Sequence, residues 1–189
     1  MQHFGHGIID IDTGKLVNIA EGEVVTSNIL DIIKGEKGVP GEIKGSITEG
    51  QSVGQIYKNT AFGIYGKIDN NTLLNINKQN EIEVATRDEI KEGHAKIICS
   101  LENGIKREYD VLIEKIYPSN NIDNKNMVIK VVDEELLNKT NGIIQGMSGS
   151  PIIQNGKFIG AVTHVLVNDP AKGYAVFADI MIKQMREVN

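Results

Sequence analysis

The chain has 189 residues, 20 basic against 25 acidic, with four His, one Cys and no Trp. That length favours one domain whose core needs no disulfides, and the single thiol, Cys99, excludes a disulfide scaffold and a zinc site built on several thiolates. A net charge of −5, with both signs interspersed and no Lys/Arg run, speaks against a nucleic-acid partner.

Ile (29), Val (15) and Gly (20) dominate over nine aromatics, a balance of β-branched side chains and turn residues that predicts a mainly β fold. The N-terminus has no basic segment leading into an apolar run. No stretch approaches the roughly 18 uninterrupted apolar residues of a membrane span, so the chain as it stands is expected to be soluble.

In chain order, strands are expected at Gly7–Ile11 and Leu16–Ala20 around the turn Asp12-Thr13-Gly14-Lys15, and then at Glu23–Ile33. Gly35 to Glu42 is Gly/Pro-rich. Its glycines at 35, 38 and 41 mimic a collagen period but are far too few for a triple helix, so a loop is expected. Further strands fall at Ile43–Thr48, Ala61–Ile68, Thr72–Ile76 and Ile82–Ala85, with the short, regular spacing of a barrel or sandwich. Ala95–Leu101 and Ile105–Tyr117 alternate apolar and polar residues around Asn103-Gly104, a dipeptide suited to a type I′ turn. Met127–Val132 is the next strand. Asp133 to Lys139 reads as one or two helical turns with acidic residues first, where the helix dipole favours them. A second hairpin, Ser150–Gln154 and Lys157–Val167, turns at Asn155-Gly156. A strand at Gly173–Phe177 leads into a C-terminal helix at Ala178–Glu187. No linker or repeat interrupts residues 1–189, which read as one domain.

Gly146-Met147-Ser148-Gly149-Ser150-Pro151 is the strongest local signal for chemistry. Small neighbours let the backbone turn sharply and expose a serine hydroxyl, and they aim the N–H groups of Gly146 and Ser148 at the oxyanion of a tetrahedral intermediate. The α/β-hydrolase pattern G-x-S-x-G fails, because position 150 is Ser and a strand follows, not a helix. Ser150 is the rival nucleophile, held extended by Pro151. An ordinary glycine turn before a hairpin is the plain alternative.

The base must come from four histidines. His94 opens a hairpin in a polar stretch, His164 lies on the strand after the serine loop, and His3 is near the chain start. His6 stands between Gly5 and Gly7, where small neighbours suit an imidazole at a cleft edge. Asp133, at the end of a continuous strand, can orient an imidazole or cap the following helix, and both readings stand. Asp12-Thr13-Gly14 imitates the loop of an aspartic protease, which a dimer would complete, but Lys15 stands where a small residue is wanted. His3, His6 and Asp10 could imitate a metal triad, yet a strand period splits their faces. Asp10 and Asp12 lack the later ligands of a calcium loop. Cys99, within an apolar strand, reads as a buried thiol. No motif calls for a metal or an organic cofactor.

Three runs, Gly5 to Thr13, Phe62 to Gly66 and Gly146 to Pro170, resemble the peptidase domain of the stage IV sporulation protein B (SpoIVB) family over nearly the whole chain. The resemblance implies a chymotrypsin-like double β-barrel related fold and a serine endopeptidase whose catalytic residues fall on His6, Asp133 and Ser148. It implies a protein substrate, the regulator of an intramembrane metalloprotease, cleaved between the two membranes around the forespore. Family members normally carry an N-terminal membrane segment, a PDZ domain and a strand leading into the histidine, so this chain is expected to be truncated at its N-terminus or a short relative. Glu134 stands where some relatives have proline. The competing expectation is a catalytically impaired relative that binds a peptide in the same cleft.

Overall fold

The computed structural model describes residues 7–10, 12–19, 21–69, 81–118 and 124–186. Within them the strands are β1 (Gly22–Ile33), β2 (Glu42–Thr60), β3 (Gly63–Ile68), β4 (Gly93–Glu102), β5 (Ile105–Ile116), β6 (Met127–Val131), β7 (Pro151–Gln154), β8 (Lys157–Val165) and β9 (Lys172–Phe177). Helix α1 (Glu134–Thr140) follows β6, and α2 (Ala178–Arg186) follows β9. The first three strands form an antiparallel sheet in the order β1-β2-β3, and the other six close into a barrel, β4-β5-β6-β9-β8-β7.

Period-two burial explains the barrel. Ala95, Ile97, Cys99 and Leu101 of β4, Tyr109, Val111 and Ile113 of β5, and Met127, Ile129 and Val131 of β6 all point inward into one cluster. In β8 every residue from Ile159 to Thr163 is buried, because both faces of that strand are covered. Its inward face joins the main core, while Ala161, with Val176 of β9, is covered by Met181 of α2. Gly160 permits this close packing, since a Cβ there would run into the Val176 carbonyl.

The first sheet departs from the expectations. Of the strands expected at Gly7–Ile11 and Leu16–Ala20, the described residues 7–10 and 16–19 form none: a single bridge, Ile9 to Leu16, joins them. Between them Asp10 accepts from Thr13 N and Thr13 Oγ1 at 2.8 and 2.7 Å, an Asx turn that ties the segment up locally. The expected Ile43–Thr48 strand runs on to Thr60, bending by shifts of register that let one strand serve β1 and β3. Ile82–Ala85 contributes one parallel bridge, Val84 to Phe158. Thr72–Ile76 lies outside the described residues.

The turn at Asn103-Gly104 is not type I′, because only Gly104 has positive φ. Asn103 instead spends its amide on the first sheet, accepting from Ile29 N at 2.5 Å and donating to Ile29 O at 3.1 Å. Asn155-Gly156, with φ of 51° and 77°, is the hairpin that takes the primed turn. Among the described residues no helix is long and apolar enough to cross a membrane.

Ile129→Ala, in the centre of the barrel, should cost about 2–5 kcal/mol of unfolding free energy by denaturant titration. Leu30→Ala, on a side chain that is 69% exposed, should stay within about 0.5 kcal/mol.

Candidate active site

The site grows out of one end of the barrel. After β6 the chain turns at Asp133, whose extended backbone and carboxylate cap α1, with Oδ1 accepting from Leu136 N at 2.9 Å. The other oxygen accepts from Asp110 N of β5 at 3.3 Å. The helix closes on Asn141, in the left-handed conformation at φ 60°, a C-cap that asparagine tolerates better than most side chains. Leu136, Ile143, Ile144 and Met147, each at most 2% exposed, then fill the barrel mouth.

Two tight turns follow back to back. Met147 N donates to Ile144 O at 3.1 Å, and Ser150 N donates to Met147 O at 3.0 Å. Each turn has a glycine with positive φ in its third position, Gly146 at 97° and Gly149 at 89°, which is the type II pattern. Met147 between them is sunk into the core, and its sulfur accepts from Ile144 N at 3.5 Å. Ser148 therefore rides at the crest of the second turn, half-buried. Its Oγ donates to Thr163 O of β8 at 2.7 Å, a resting arrangement with the hydroxyl folded against the strand. Among the described residues nothing accepts from the N–H of Gly146 or of Ser148.

The loop between β1 and β2 grips this region. Gly35 N donates to Thr140 O at 2.9 Å, Asn141 Nδ2 donates to Gly35 O at 2.7 Å, and Gly38 N donates to Val167 O at 2.8 Å. Gln145 is held on both sides, its N–H by Gly41 O at 2.8 Å and its carbonyl by Ile43 N at 2.9 Å.

A second contact between the sheets lies behind Ser148. Buried Thr163 donates from Oγ1 to Asn124 O at 2.9 Å, and Asn124 donates from Nδ2 to Ala61 O in the turn between β2 and β3. The residue before that turn, Thr60, faces Gly7, which is buried. Asn59 pins the same N-terminal segment through Ile8 N, Ile8 O and Val17 O at 2.9, 2.7 and 3.0 Å.

His6 and His3 lie outside the described residues. Asp133 and Ser148 share no hydrogen bond: the carboxylate faces β5, and the hydroxyl faces β8, two strands along the barrel from β6. His164 is half-buried on β8 beside Thr163, and His94 is exposed on β4. Ser150 is half-buried, with Met147 O and Val162 N engaging its backbone. Asp12 is exposed in its turn, and among the described residues no group of three or more His, Cys, Asp or Glu could hold a metal. Burial, with Asp133's charge as a lesser cause, pushes the Cys99 thiol up to about 12, so it stays neutral and non-nucleophilic.

Sequence reading missed Asn59, Asn124, Asn141, Gly41 and Ile43. Asn141-Gly142, coming straight before the apolar pair Ile143-Ile144, carried a readable helix-stop signal, whereas the others act through contacts thirty-nine or more positions away.

A family model described as SpoIVB peptidase S55 matches residues 1–182. Among solved structures, the active form of the Rv3671c protease from M. tuberculosis aligns with a TM-score of 0.54 at 14% identity, covering 88% of this chain and 81% of that one. Its inactive form gives 0.50 at 14% identity over 77% of this chain and 73% of that one. The HtrA-type protease AlgW with a decapeptide gives 0.51 at 14% identity, covering 79% of this chain and 43% of that one. At these identities the likeness is one of fold, the chymotrypsin-like arrangement expected from the sequence. A search among curated proteins finds no match.

The buried Cys99 thiol should resist iodoacetamide at pH 8 in the native protein and react within minutes once urea unfolds it, as read by intact mass.

Proposed function

The chain belongs to the SpoIVB peptidase S55 family, and we propose that it hydrolyses peptide bonds with Ser148 as nucleophile, His6 as general base and Asp133 as the carboxylate that orients the histidine. That it is a serine peptidase follows from the family; the assignment of residues is our reading. The observation that carries it is the crest at Ser148, a serine in the second of two glycine turns, where the N–H groups of Gly146 and Ser148, on either side of Met147, have no acceptor among the described residues.

In this mechanism the Ser148 hydroxyl leaves Thr163 O, a rearrangement costing about 1 kcal/mol for a neutral hydrogen bond. Its oxygen attacks the peptide carbonyl while its proton passes to His6. The carbonyl oxygen takes up negative charge and is held by the N–H groups of Gly146 and Ser148. Collapse of the intermediate expels the amine, which takes the proton back from His6, and water then releases the acyl group by the same steps in reverse.

His6 is supported by its neighbour. Gly7 is buried against Thr60, one residue from Ala61, which receives Asn124, and Asn124 in turn receives Thr163, the residue whose carbonyl holds Ser148. Asp133 spends one lone pair of each oxygen on a backbone N–H, and a carboxylate has about four such sites, so capacity for an imidazole N–H is left. Family pattern further supports a protein substrate that restrains an intramembrane metalloprotease, cleaved between the membranes around the forespore.

A fluorophosphonate probe should label the wild-type chain, and Ser148→Ala and His6→Ala should each abolish labelling while Ser150→Ala keeps it. A folded protein that takes no label favours the peptide-binding relative instead.

Asp133→Asn separates the two uses of that side chain. Asparagine keeps the cap to Leu136 N but loses the acceptor for Asp110 N, so thermal stability should fall by about 1–2 kcal/mol. A triad role predicts a fall in turnover of about 1,000- to 10,000-fold in a p-nitrophenyl ester assay, and a purely structural cap predicts almost none.

A further inference from the structure

We propose that the backbone N–H of Ile43, on the first sheet, is the positioning group that sets the oxyanion hole at the barrel. The inference rests on the reading of Ser148 as nucleophile.

The geometry follows from one peptide plane. No peptide bond among the described residues is cis, so the Gln145 carbonyl and the Gly146 N–H lie on opposite sides of a single rigid group. Ile43 N holds that carbonyl at 2.9 Å, and the Gly146 N–H is thereby turned away from the first sheet, where nothing among the described residues accepts from it. Gly41 O fixes the preceding N–H, that of Gln145, at 2.8 Å, so the residue is clamped on both sides of its Cα.

Without this clamp the turn has an alternative. Gly146 sits at φ 97°, and a glycine pays little to move elsewhere, so rotation of the Gln145–Gly146 peptide would exchange carbonyl for N–H in the hole. The hole would then present an acceptor to a developing negative charge. Gly146 is itself fitted to the clamp: a Cβ there would stand 3.1 Å from Ile43 Cβ and 3.3 Å from Cγ1 and Cδ1.

The clamp is braced from behind. Asn141, at the end of α1, donates to Gly35 O, and Gly35 N donates to Thr140 O, so the loop that carries Gly41 and leads into Ile43 of β2 is tied to the helix that precedes the turn. Competence of the hole in one half of the molecule is thus conferred by main chain from the other half.

The decisive variant replaces Ile43 by its α-hydroxy acid analogue, which exchanges the N–H for an ester oxygen and keeps the side chain. With p-nitrophenyl butyrate as substrate, kcat should fall by at least tenfold, approaching the about 100- to 1,000-fold lost when an oxyanion donor is removed, while KM stays within twofold. Ile43→Ala, which keeps the N–H, should lose less than a third of that effect on a logarithmic scale. Circular dichroism and thermal melting establish that each variant is folded. Should the ester chain not fold, Asn141→Gly decides, since glycine keeps the left-handed cap but drops the brace to Gly35. A severalfold fall in kcat at constant KM supports the clamp, and an unchanged kcat overturns it. If Ser148→Ala is inactive and the ester chain turns over like the wild type, the clamp fails while the serine reading stands. Hydrolysis that survives Ser148→Ala overturns both.

Discussion

Burial of Met147 in the mouth of the barrel is the constraint from which the site takes its shape. A large side chain driven into the core between two glycines leaves the next residue nowhere to go but outward, and that residue is Ser148. The apolar free energy gained at Met147, about 2 kcal/mol for full burial of such a side chain, is what holds the crest in place. Leu136, Ile143 and Ile144 extend the same plug, so the short helix, the glycine turns and the serine form one packed unit. A serine on an independent loop would depend on its own hydrogen bonds; here it is fixed by what lies beneath it.

The barrel was legible because its strands are half-buried in a closed sheet. Alternation from Ala95 to Leu101 and from Tyr109 to Ile113 reports the inward face directly, and Asn155-Gly156 reports its turn. The first sheet was harder to read. Asp10 satisfies Thr13 and so competes with strand pairing, and β2 runs through Gly45, Gly50 and Gly54, residues that elsewhere signal breaks. In a strand bent by register shifts they mark curvature, not an end. Asn103 misled for the opposite reason, its side chain being drawn to Ile29, seventy-four residues away.

The site divides along the same line. The two glycine turns, with Ser148 in the second, are local, and the sharp bends at Gly146 and Gly149 could be read from six consecutive residues. Asp133 was left open between cap and triad, and its contacts with Leu136 and Asp110 show why sequence could not decide: a strand-end carboxylate before a helix is suited to both. Gly41 and Ile43 could not be found at all, because they act on the turn through backbone atoms brought together by the tertiary fold, and of Asn141 only the helix stop was readable, not its side-chain bond to Gly35.

That the two halves meet at the turn through main-chain atoms has an evolutionary reading. The bonds from Gly35, Gly38 and Ile43 to Thr140, Val167 and Gln145 are made by main-chain atoms, so they constrain the backbone path, including the positive φ of Gly38 and the close approach at Gly35, more than the side chain of Ile43. Most substitutions at the non-glycine positions of the loop between β1 and β2 therefore leave the grip intact. Gly41 is a further constraint, since a Cβ would strike the Ile33 carbonyl and Gly35 N. Drift is free to reshape this outer face, recognising new surroundings, without reaching the chemistry it supports.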